Sequence, residues 1–216
     1  MLRENTKREL EIVVERYPQL VVLKRALETA VETIVSAARA GNKLLICGNG
    51  GSAADSLHIT GELMKSFTLE RKISMDIQQK LKAGFPDDAD YYIDNLQGAI
   101  PTISLVNEVG LMTAYSNDKC ADLVFAQQVL GHGKGGDVLI AISTSGNSSN
   151  VLHAARIAKA LGLSIISLTG ESGGKMKELS DVLLNVPATI TYQIQELHLP
   201  IYHALCLAVE VEMFGK

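Results

Sequence analysis

Val138-Leu139-Ile140-Ala141-Ile142-Ser143-Thr144-Ser145-Gly146-Asn147-Ser148 decides the fold of this 216-residue chain. Five apolar residues run straight into a hydroxyl-rich turn, and a helical pattern begins near Asn150. A short unbroken apolar run fits a strand buried on both faces, as in a parallel sheet. The turn then lies between a strand end and a helix start. Backbone N–H groups lack partners there and the helix dipole favours an anion. Ser143, Thr144, Ser145 and Ser148 add hydroxyl donors without adding charge. Such a turn suits a phosphate ester held so that another part of the molecule can react. Ser and Asn also serve as ordinary N-caps, but a cap needs one such residue.

Outward from this stretch, the same pattern repeats. Residues 43–47 form a second apolar run, ended by Gly48-Asn49-Gly50-Gly51-Ser52 and followed by a helical pattern over about 53–65. Further strands are expected at 103–106, 164–168 and 181–186, with a last helix over about 190–214. Strands alternating with helices predict an α/β fold: a doubly wound parallel five-stranded sheet flanked by helices. Ligands bind such sheets beyond the carboxyl ends of the strands, where both Gly/Ser-rich turns fall. Over residues 4–40, Leu10, Val13, Val14 and Tyr17, then Leu23, Leu27, Val31, Ile34, Val35 and Ala38, recur at helical spacing. Pro18 divides them into two N-terminal helices. These either pack on a neighbouring subunit or cover their own sheet. Residues 66–98 are polar, broken by Gly84-Phe85-Pro86, and read as a partly helical insertion: a lid, an oligomer contact or a solvated excursion. The whole chain, 1–216, reads as one domain.

Composition narrows the function classes. Aromatics are 5% and Trp is absent, so Ala, Val, Leu and Ile must fill the core. With a net charge of -4 and no basic stripe, the chain is not expected to bind nucleic acid. Met1 to Asn5 is charged rather than apolar, and no apolar run approaches the roughly 20 residues of a membrane span. The expected location is cytoplasmic, with Cys47, Cys120 and Cys206 reduced and with Cys47 and Cys206 in the core.

Among residues that carry chemistry, His58 and Glu62 are four apart, on one helix face. The pair is a candidate half-site for zinc or another divalent ion; the same spacing is common on solvated helices. On the last helix, Gln195 and His203 are eight apart, about 80° round the helix. His203, in an apolar stretch, is a core histidine or a site residue, whereas His198 reads as a surface or interface histidine. The glycine run from Gly48 is neither a dinucleotide fingerprint nor a P-loop. Asn117 and Asp118 follow the second expected strand within reach of the crevice, and residues 131–136 read as a turn.

Cys47-Gly48-Asn49-Gly50-Gly51-Ser52 together with Ser143-Thr144-Ser145-Gly146-Asn147-Ser148 resembles the sugar isomerase (SIS) domain family. Leu168-Thr169-Gly170, Gly173-Gly174-Lys175-Met176 and Ile194-Gln195-Glu196 extend the likeness to nearly the whole chain apart from 66–98. The resemblance implies a ketose–aldose isomerase converting sedoheptulose 7-phosphate to D-glycero-D-manno-heptose 7-phosphate. It implies one zinc ion per site, held by His58, Glu62, Gln195 and His203, and so selects His203 over His198. Implied substrate contacts are Asn49, Gly50, Gly51 and Ser52, Asn117 and Asp118, Ser143, Thr144, Ser145 and Ser148, and Gln195. Glu62 is the implied general base and His203 its acid/base partner. The family pattern also implies a homotetramer with sites built between subunits. Tyr192-Gln193 stands where the heptose enzymes carry Asp-Arg, and the insertion is longer than theirs; both bear on the exact sugar. The alternatives are an enzyme on another phosphosugar and a non-catalytic SIS protein that associates with a replication initiator.

Overall fold

The computed structural model describes residues 2–215; Met1 and Lys216, the outer bounds of the expected domain, lie outside the described residues. The five expected strands are all present: β1 (Leu44–Cys47), β2 (Thr102–Ser104), β3 (Val138–Ile142), β4 (Ser164–Thr169) and β5 (Val182–Asn185). They pair in parallel in the order β2-β1-β3-β4-β5. The helices are α1 (Glu4–Arg16), α2 (Lys24–Arg39), α3 (Gly51–Met64), α4 (Met75–Gly84), α5 (Ala89–Asn95), α6 (Val109–Tyr115), α7 (Val124–His132), α8 (Ser149–Ala160) and α9 (Thr191–Phe214).

Alternation along the strands divides the core between two faces. Leu44, Ile46, Val138, Ile140, Ile142, Ile166 and Leu168 meet α1, α2, α3 and α9 through residues such as Leu10, Leu27, Ile59 and Leu205. Leu45, Cys47, Leu139, Ala141 and Ile165 meet α7 and α8 through Phe125, Val129, Val151 and Ala155. A fully buried Leu or Ile contributes about 1.5–3 kcal/mol, so aliphatic packing suffices without Trp. The N-terminal helices cover their own sheet, and Pro18 opens the 3-10 turn (Pro18–Leu23) that separates them.

Two expectations change. Residues 109–115 and 124–132 are helical (α6 and α7), so the turn expected over 131–136 begins only after His132. At 24 residues α9 is long and apolar enough, by composition, to cross a membrane. Its apolar residues are instead spent on the core, among them Ile194, Ile201, Leu205 and Val209. The expected insertion at 66–98 is partly helical and leaves the rest of the fold through a fixed neck. Lys72 bridges Gln97, and the Gly98 N–H donates to the Arg71 carbonyl at 2.7 Å. Beyond the neck α4 buries no residue.

Arg71 explains the neck. It is fully buried, with Nε on Glu210 Oε1 at 2.7 Å. Its Nη atoms donate to the Leu63 and Glu62 carbonyls at the end of α3, groups that a helix terminus leaves open. Glu210 in turn accepts from the backbone N–H groups of Phe67, Thr68 and Leu69. Burial alone would raise the Glu210 pKa; these donors outweigh it and hold the carboxyl below its usual range.

Candidate functional site

The strand order reverses between β1 and β3, which opens a crevice at their carboxyl ends. The turns at 48–52 and 143–148 flank it. Asn49 of the first turn and Asn150 at the start of α8 form a reciprocal amide pair at 2.8 and 2.9 Å.

The turn at 143–148 is built by backbone. The Gly170 N–H donates to the Thr144 carbonyl, the Met176 N–H to the Gly146 carbonyl and the Lys175 N–H to Asn147 Oδ1. Gly146 has φ +65°, and a Cβ there would run into the Gly173 carbonyl, so glycine is required. Ser148 occupies the N-cap position of α8, yet its hydroxyl makes no cap bond; it pairs with Ser143 Oγ at 2.9 Å. The hydroxyls therefore do not act as the N-cap of α8. Ser143 is buried, Thr144 and Ser148 are half-buried and Ser145 is exposed. Asn117 and Asp118 lie exposed in a π-helical turn (Ser116–Cys120). Asp122, just beyond that turn, accepts from Ser149 Oγ at the start of α8, so the segment reaches the crevice rim.

The second group sits where α3 packs beside α9. His58 Nε2 stands 3.5 Å from Glu62 Oε1 and 3.5 Å from His203 Nε2. The two imidazoles meet edge to face at 5.0 Å, and Phe67 lies against His203 at 5.6 Å. Glu62 is mostly covered, and its Oε2 accepts from Lys65 Nζ at 3.1 Å. Desolvation, and after it the neighbouring His58, lowers the His203 pKa and keeps the ring neutral. Gln195 is placed differently. A Cβ on Gly51 would fall 2.5 Å from its Nε2, so Gln195 lies beside the first turn of α3. His58 is seven residues, or about 10 Å, further along.

One expectation about histidines is reversed. His198, expected at the surface or an interface, is fully buried and donates Nε2–H to the Thr169 carbonyl at 3.2 Å. Burial pushes its pKa down to about 4. The two rings lie five positions apart on α9, and the 100° step per residue turns one into the sheet and the other toward α3. Asn150, Arg71, Asp55 and Tyr202 escaped the sequence reading. None belongs to a motif, and only packing across 101 to 147 positions brings their partners close.

Zinc with bonds of about 2.0–2.1 Å sets tetrahedral donors about 3.4 Å apart. Both separations at His58 match, and two imidazoles with a carboxylate are zinc-type donors. The chain alone does not close the site: among the described residues no three His, Cys, Asp or Glu side chains converge on one point.

The SIS-domain family model matches residues 14–98 and 97–170. Its first match runs through 66–98, the segment set outside the resemblance above. A phosphoheptose isomerase of Geobacter sp. (strain M21) is 40% identical over 194 residues, covering 90% of this chain and 88% of that protein. Among solved structures, a phosphoheptose isomerase from Francisella tularensis is similar at a TM-score of 0.74 and 30% identity, covering 92% of this chain and 93% of that one. Phosphoheptose isomerase GmhA from Neisseria gonorrhoeae is similar at a TM-score of 0.71 and 31% identity, covering 95% and 93%.

Proposed function

The chain belongs to the SIS-domain family, among the phosphoheptose isomerases, and on that premise we propose how its crevice works. It is a phosphosugar isomerase, converting sedoheptulose 7-phosphate to D-glycero-D-manno-heptose 7-phosphate. The enzyme reading displaces the non-catalytic binding protein. One observation carries the assignment of the chemistry: His58 Nε2 stands 3.5 Å from both Glu62 and His203.

The phosphate is held by Ser143, Thr144, Ser145 and Ser148 with the start of α8. Asn49, Gly50, Gly51, Ser52, Asn117 and Asp118 line the rest of the sugar's path, and Gln195 meets it beside Gly51. Fixing the phosphate orients C1 and C2 toward the carboxylate, which converts binding into rate. Glu62 takes the proton from one carbon and returns it to the other. His203, neutral by burial, passes a proton between the two oxygens. His58, Glu62 and His203, with Gln195 supplied by a neighbouring subunit, would hold zinc, which when bound supplies polarisation of the substrate carbonyl. Glu62 presents Oε1 to His58 and Oε2 toward Lys65, so ligation and proton transfer fall to different oxygens.

The assembly is a homotetramer on the family's pattern. Val22, Met75, Phe85 and Tyr91 are large apolar side chains left exposed on the subunit and suited to such contacts. Buried, unpaired Cys47 and Cys206 with exposed Cys120 suit a reducing, cytoplasmic setting.

Purified, metal-analysed protein incubated with sedoheptulose 7-phosphate and followed by NMR should give the aldose, and chelator should suppress it. No product from zinc-loaded protein would reject the substrate. Product indifferent to chelator would reject the metal.

A further inference from the structure

His58 is held from behind. Its Nδ1 lies 3.1 Å from the Tyr202 hydroxyl, and that hydroxyl donates to Asp55 Oδ1 at 3.3 Å. Tyr202 is buried and its ring meets the His58 ring edge-on at 5.4 Å. Asp55 lies three residues before His58 on the same face of α3. Its second oxygen, Oδ2, is buried with no partner.

A hydroxyl carries one proton. Given to Asp55, it leaves only a lone pair facing His58, so His58 Nδ1 must be the protonated nitrogen. The reverse assignment would strip Asp55 Oδ1 of that donor, next to an Oδ2 that already lacks one. A buried acceptor left without a donor is costly, the more so when it is charged. The ring nitrogen opposite a fixed N–H is the one left to bind a cation. Here that nitrogen is Nε2, the atom aimed at Glu62 Oε1 and His203 Nε2. That lone pair and the Glu62 Oε1 carboxylate oxygen then face each other as two acceptors 3.5 Å apart, a pairing that a cation between them would relieve.

We propose that Asp55 and Tyr202 form a positioning relay that locks His58 in its Nδ1–H tautomer and so presents the Nε2 lone pair to a divalent cation. The cation half of this proposal rests on the metal reading of the His58–Glu62–His203 cluster; the tautomer half stands on the hydrogen bonds alone. The relay imitates the carboxylate–histidine–zinc arrangement, with a tyrosine hydroxyl spliced between carboxylate and ring.

The test is the tautomer itself. Long-range 15N–1H spectra of the metal-free chain at pH 8 report which His58 nitrogen carries the proton. Zinc affinity is measured beside them, by competition with a chromophoric chelator. Wild type should be Nδ1–H. Tyr202→Phe keeps the ring packing but removes the hydroxyl; it should give mixed tautomers and zinc affinity lower by about 10- to 100-fold. Asp55→Ala should act in the opposite sense, because the freed Tyr202 proton turns to His58 Nδ1 and drives the ring to Nε2–H. A merely structural role would not invert the tautomer, and Asp55→Ala decides the matter should Tyr202→Phe fail to fold. An Nε2–H wild type, or Nδ1–H retained in both variants with zinc affinity unchanged, would overturn the relay. The expected tautomers in a chain that takes up no zinc would support the relay while removing the metal reading.

Discussion

The two ends of the α3–α9 pair are built differently. At the Gly51–Gln195 end, beside the serine turn, positions are set by backbone: carbonyls and N–H groups cross-link 143–148 to 170–176, and Gly146 sits where no side chain fits. At the His58–His203 end the backbone is also anchored, through Arg71 on the Glu62 carbonyl. The working atoms there, however, are side-chain tips at 3.5 Å separations on half-open rings. The end proposed to hold the phosphate is fixed by backbone, and the end proposed for the chemistry rests on side-chain tips. An anion needs a rigid cradle that does not change on turnover, whereas proton transfer and metal exchange need groups that can move by an ångström.

Four substitutions test this contrast. The largest effect is expected from Glu62→Gln, which keeps the shape but removes the base. Turnover should fall by about 10²- to 10⁴-fold while phosphosugar binding, read by calorimetry, survives. Near-normal turnover would break the assignment. Next is Arg71→Met, which leaves Glu210 buried without its cation. Denaturant unfolding should show a loss of about 3–5 kcal/mol; a neutral result would mean that the Glu62 end is not anchored as described. Third, His198→Gln tests the histidine that faces the sheet. Folded His198 stays neutral down to about pH 4, against an ordinary value of 6.5. The unfolded chain binds a proton as pH falls through 6.5 and the folded chain does not. Stability present above 6.5 is therefore lost between 6.5 and 4, on the order of 3 kcal/mol. The variant should flatten that slope in pH-dependent unfolding and leave turnover at neutral pH largely intact. Last, Gly146→Ala should raise the KM for the phosphosugar and lower kcat/KM by up to about 100-fold without changing zinc affinity, which would separate the two ends cleanly.

The fold was legible because its strands are short apolar runs ended by Gly, Ser or Pro, as at Ile142-Ser143 and Val186-Pro187. The helices α6 and α7 were not, since residues 107–132 carry no strong helical period. The serine turn announced itself by composition. The histidines did not: His198 and His203 share one apolar helix, and only the position of β4 decides that one faces Thr169 and the other His58. Resemblance to the SIS family named His203 where spacing left the two histidines open, and the structure sets His203, not His198, beside His58. Arg71 was unreadable for a related reason. It looks like any charge in a polar segment until Glu210, 139 positions away, is folded against it.

The most direct test of the central claim is anomalous diffraction at the zinc edge from crystals soaked with zinc and sedoheptulose 7-phosphate. One ion peak should touch His58, Glu62 and His203 together with Gln195 of a neighbouring subunit, with the phosphate on Ser143, Thr144, Ser145 and Ser148. An ion elsewhere, or a phosphate seated away from that turn, would contradict it.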